Sequence, residues 1–117
     1  MKESEIRTRS KKLAVRVIEI CDTIDTRKGR DILVKQVIRS ATSIGANVHE
    51  ANYGASRADF INKLKIALKE CYETEYWIDI LYSTNCISKE LNDELLVETG
   101  VLRRMTVKAI QTAQENL

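Results

Sequence analysis

The stretch from Gln36 to Leu81 reads QVIRSATSIGANVHEANYGASRADFINKLKIALKECYETEYWIDIL. Its first half is crowded with small side chains: Ser40, Ala41, Thr42, Ser43, Gly45, Ala46 and Asn47. On a helix, residues this small let a neighbouring helix come close. The second half settles into a heptad. Phe60, Leu64, Ala67, Cys71, Thr74, Ile78 and Leu81 alternate four and three apart, the seam of a left-handed helical bundle. Between the halves, Gly54 ends one helix and Ser56 starts the next. Asp59 stands three residues on, a variant of the capping box.

The flanks extend the same pattern. A first helix is expected from near Ser4, a good N-cap, to Arg27 or Lys28, with Gly29 as its stop. Its inner stripe is Ile6, Leu13, Val17, Ile20, Cys21 and Ile24. A second runs from about Arg30 to Tyr53 with Leu33, Val37, Ala41, Ile44, Val48 and Ala51 inward. Ser83, Thr84 and Asn85 close the third helix. Ser88 caps a fourth, whose seam is Leu91, Leu95, Leu102, Met105 and Ala109, with Leu96, Val101 and Ile110 beside it. Short connections force neighbours antiparallel. The expected fold is all-α, an up-down-up-down four-helix bundle, with residues 1–117 as one domain.

Composition agrees. The 117 residues include no proline and only 4 glycines, and 44% are hydrophobic. So little turn chemistry leaves room for long helices alone. No apolar run approaches the roughly 20 residues of a membrane span. The start, MKESEIRTRSKK, lacks the apolar core of a signal peptide. Cys21, Cys71 and Cys86 are odd in number, far apart and without a CxxC pair, so they read as free thiols. A cytoplasmic protein with no membrane association is expected.

Catalytic and metal chemistry find little footing. His49 is the only histidine, and a di-iron bundle needs Glu-x-x-His pairs. Glu70, Glu73, Glu75 and Asp79 read as a solvated face with lysine partners. The stretch around Gly54 lacks the lysine of a phosphate-binding loop. No catalytic residue, metal or cofactor is expected.

Two polar features stand out. Arg39, Ser43, Asn47 and Glu50 recur three and four apart, so they share one face of the second helix. They read as a network that fixes helix register, with Asn47 bridging to the third helix or to another subunit. Basic residues form three clusters: Arg9, Lys12 and Arg16; Arg27, Lys28 and Arg30; Arg103, Arg104 and Lys108. The net charge of +2 does not by itself argue for nucleic acid. The clusters are the candidate contacts to RNA or DNA phosphates.

The middle of the chain resembles the four-helix-bundle family of 23S rRNA intervening-sequence proteins. That family carries a pattern close to Q-x-x-R-[SA]-[AG]-x-S-I-x-A-N-[IV]-x-E-[AG], then S-x-x-[DE]-F-I-x-x-L-x-I-A. Here it falls on Gln36, Arg39, Ser40, Ala41, Ser43, Ile44, Ala46, Asn47, Val48, Glu50 and Ala51. It continues on Ser56, Asp59, Phe60, Ile61, Leu64, Ile66 and Ala67. KECYETEYW, residues 69–77, resembles a common variant of the family's third helix. The resemblance implies a homopentamer with no known enzymatic activity. A similar fold serves as the accessory protein of diversity-generating retroelements, where a basic pentamer binds nucleic acid and a reverse transcriptase. Ile61, Leu68, Tyr72, Tyr76 and Trp77 are the expected subunit contacts. The leading expectation is a non-enzymatic oligomer that binds nucleic acid or a ribonucleoprotein through its basic patches. The alternative is an oligomeric scaffold that binds protein and no nucleic acid. Basic residues forming a continuous rim favour the first, and carboxylates mixed among them favour the second.

Overall fold

The computed structural model describes residues 2–116. Four helices make up the chain: α1 (Lys2–Cys21), α2 (Arg30–Ala51), α3 (Arg57–Ser83) and α4 (Lys89–Glu115). Each helix packs on its neighbours in sequence, and α1 closes the ring against α4 through the lightest of the four contacts. The result is the expected antiparallel bundle, 49 × 22 × 18 Å. No helix is long and apolar enough to cross a membrane, among the described residues.

The apolar stripes of α1, α2 and α3 point inward as their spacing predicts. Val17, Val37, Ala41, Ile44, Ala67, Cys71 and Ile78 are almost wholly shielded. Leu33 and Phe60 are the exceptions, packing only partly buried at the edge of the core. Ser10, Ser40 and Thr74 complete the stripes as buried polar residues.

The helix ends follow local chemistry. Ser56 caps α3, its Oγ accepting from the Asp59 backbone N–H at 3.2 Å. The Asp59 carboxylate accepts from the Ala55 N–H at 3.1 Å, one residue before the reciprocal bond of a capping box. Ser88 caps α4 through the Leu91 N–H at 3.2 Å.

Helix α1 departs from expectation at both ends. It already includes Ser4, and that residue's side chain lies outside the described residues. It stops at Cys21, six residues before Arg27. Thr23 turns its hydroxyl back onto the Ile20 carbonyl at 2.6 Å. The Asp25 carboxylate takes the Arg27 N–H at 3.0 Å. Such side-chain bonds offer the backbone an alternative to the helical ladder. Lys28 (φ 59°) and Gly29 (φ 81°) then reverse the chain in the left-handed region. Gly29 therefore begins α2 rather than ending α1.

The seam of α4 is also turned from the expected one. Leu95, Thr99, Leu102, Thr106, Ile110 and Ala113 are buried, while Leu91, Met105 and Ala109 are half-buried beside them. Thr99 and Thr106 fit the core because each hydroxyl donates to the carbonyl four residues back, at 2.7 and 2.8 Å. A threonine satisfied this way shows the core its methyl group.

Candidate binding surfaces

The polar strip of α2 does not form one network. Arg39 reaches α3, where its guanidinium pairs with Glu70 at 3.4 Å and with Glu73. Glu73 also accepts from the Trp77 indole N–H at 3.0 Å. Glu50 pairs separately with Lys63 at 2.8 Å, which holds its carboxyl below the ordinary value. The Asn47 amide donates to the Ser43 carbonyl of its own helix at 2.8 Å, so it does not bridge to α3. The buried polar link between α2 and α3 lies two turns back along α2 from Asn47. Thr74 Oγ1 donates to Ser40 Oγ at 2.9 Å, and Ser40 donates to the Val37 carbonyl. The signal for this pair was a serine and a threonine inside two apolar stripes.

The basic clusters are rearranged. Arg16 forms a two-pronged pair with Glu94 of α4, at 2.6 and 3.0 Å. This contact holds the Glu94 carboxyl below the ordinary value of 4.5. Arg9 lies 3.7 Å from Glu5 and 4.0 Å from Glu98. Arg27 is tied to Asp25, which its guanidinium keeps below the usual carboxylate range. Lys28 and Arg30 stand beside that pair at the far end of the bundle, with Thr84 and Asn85. Lys12 lines the same stretch of surface as Arg16, Glu94 and Glu98.

The third cluster splits. Arg103 turns toward α3, pairing with Glu75 at 3.2 Å over the Tyr72 ring, 5.5 Å from its centroid. Arg104 and Lys108 line, with Arg9 and Arg57, a groove of about 590 Å³ between α1 and α4. Its floor is apolar: Ile6, Phe60, Val101, Met105, Ala109 and Ala113. The Arg104 guanidinium lies back beside Gly100, close to that of Arg103. Among the described residues, Arg57, Arg104 and Lys108 make no ion pair. Arg57 sits in the first turn of α3, where the helix dipole disfavours a cation. Sequence spacing gave no sign of it, because its partners come from three helices.

Of the expected subunit contacts, Ile61 belongs to the chain's own core at 7% exposure. Leu68 and Trp77 are half-buried against that core. Tyr72 and Tyr76 are more than half exposed. Tyr76 meets Trp77 edge to face, with ring centroids 5.1 Å apart. At the α1–α2 seam, Arg7 lies 3.2 Å from His49 Nδ1. No group of three metal-ligating side chains occurs among the described residues.

The model of the 23S rRNA-intervening sequence protein family matches residues 2–108. The chain belongs to that family. A crystal structure from Bacteroides thetaiotaomicron, of a protein with unknown function from the S23 ribosomal protein family, is 37% identical with a TM-score of 0.87. The match covers 95% of this chain and 99% of that one. No curated protein matches. Membership accounts for the motif on α2 and α3. Within it, Ile44, Val48, Ala51 and Leu64 build the core, and Ser56 with Asp59 builds a helix start.

Proposed function

We propose that this member of the family is a non-enzymatic, homo-oligomeric helical bundle that works in the cytoplasm as a protein-binding scaffold. The observation that carries the reading is the pairing of its basic residues. Arg9, Arg16, Arg27 and Arg103 each lie on a carboxylate of the same chain. Mixed charges of this kind cancel the far field that a phosphate backbone would feel. Self-association is supported by the exposed Ile66, Tyr72 and Tyr76 on α3, since aromatic anchors favour interfaces. Five copies is the number that the family pattern on α2 and α3 implies. The three free cysteines suit a reducing compartment.

A second reading, nucleic-acid binding through phosphate contacts, is favoured by one observation. Arg57, Arg104 and Lys108 line one groove and make no ion pair among the described residues. Fluorescence anisotropy with unrelated single-stranded and duplex oligonucleotides at low salt separates the two. The scaffold reading expects no binding at micromolar protein. Salt-sensitive binding that is lost when those three residues become glutamine would establish the second reading instead.

A further inference from the structure

We propose that the groove between α1 and α4 is a docking site for an acidic amphipathic helix of another protein. The inference rests on the scaffold reading and names the chemistry of the partner. The groove has the two parts that such a helix requires. Its apolar floor is built around Phe60, Val101 and Met105, and its lining carries Arg57, Arg104 and Lys108, which make no ion pair among the described residues, beside Arg9, which is paired with Glu5 and Glu98. A helix laid in the groove would bury its apolar stripe and place glutamates or aspartates beside the cations.

Dimensions agree. The groove follows α4 from Val101 to Asn116, about 24 Å at a 1.5 Å rise per residue, so it accepts about four helical turns. It opens where the bundle is least closed, because α1 and α4 touch lightly. Small side chains at Ala109, Thr112 and Ala113 leave room for a fifth helix axis. A nucleic acid would use the cations and leave the apolar floor bare. An acidic amphipathic helix uses both.

The test uses the full chain and a fluorescein-labelled peptide of about sixteen residues, matched to the groove length. Leucines fall at helical spacing on one face and glutamates occupy the rest; a second peptide carries lysines in place of the glutamates. The glutamate peptide is expected to bind and the lysine peptide to bind at least about tenfold more weakly. Arg104→Glu with Lys108→Glu should weaken the glutamate peptide about tenfold or more. Thr112→Trp, a change at an exposed position, should block it sterically. Circular dichroism and assembly mass are followed for each variant. Failure of the glutamate peptide to bind the intact assembly overturns this inference and leaves the scaffold reading standing. A labelled single-stranded oligonucleotide that binds where the peptide does not overturns it in favour of nucleic acid. A variant that keeps its helicity but loses assembly mass also overturns it, because the groove would then be a contact between copies. An assembly mass equal to one chain, with the peptide bound, would instead sink the oligomeric part of the scaffold reading.

Discussion

Replacing Gly45 with alanine should stabilise the protein, although small residues in this stretch suggest tight helix packing. Gly45 lies in mid-α2 and faces α1. A methyl group on it would meet Ser10 Oγ at 3.5 Å and Ser10 Cβ at 3.7 Å. These are ordinary contact distances, so no neighbour has to move. A glycine in a helix interior costs roughly 0.8–1.0 kcal/mol relative to alanine, largely through the freedom of the unfolded chain. Gly45→Ala should therefore add about 1 kcal/mol, which for 117 residues raises Tm by roughly 3–5 °C. Urea unfolding followed by circular dichroism measures this, at one fixed protein concentration because the proposed self-association would add its own stabilisation. The slope against urea should not change. A loss of about 1 kcal/mol would refute the reasoning. It would mean that α1, or another subunit, packs against this glycine more closely than the single chain shows.

Other expectations follow from the same contacts. Thr74→Val should cost about 1 kcal/mol, and less in a Ser40→Ala background; equal costs in both would show that the hydroxyl pair is not coupled. Burial pushes the Cys71 thiol up to about 12 and the Cys21 thiol up to about 11. Neither should react with a thiol reagent at neutral pH while the protein is folded, and half-buried Cys86 should react first. Arg16 lowers the folded-state value of Glu94, so that contribution is complete above pH 4.5 and is lost as pH falls through the lower folded value. Stability curves of the parent and Arg16→Gln should meet at low pH and separate as pH rises. The gap stays small because both side chains are well exposed, and parallel curves would reject the pairing.

Most of the bundle was legible because periodicity reports burial directly. The α2 and α3 stripes needed nothing but spacing, and Ser56 and Ser88 needed nothing but capping chemistry. The end of α1 was hidden because Thr23 and Asp25 compete for the backbone through bonds that hydropathy does not register. Thr99 and Thr106 hid the α4 seam in the same way. Polar residues on one helix face were legible as neighbours, but not as partners. Arg39 and Glu50 chose different partners on α3, and Asn47 turned to its own helix. The groove was the least legible feature. Arg9, Arg57 and Arg104 come from α1, α3 and α4, and only the closed ring of helices brings them together.

The central claim is a self-associated bundle, and light scattering on the protein eluting from a sizing column tests it most directly. Five copies of the 13.4 kDa chain give a mass of about 67 kDa. Tyr72→Glu with Tyr76→Glu, both exposed on the single chain, should lower that mass without loss of helicity. A parent mass near 13.4 kDa at micromolar concentration would contradict the account.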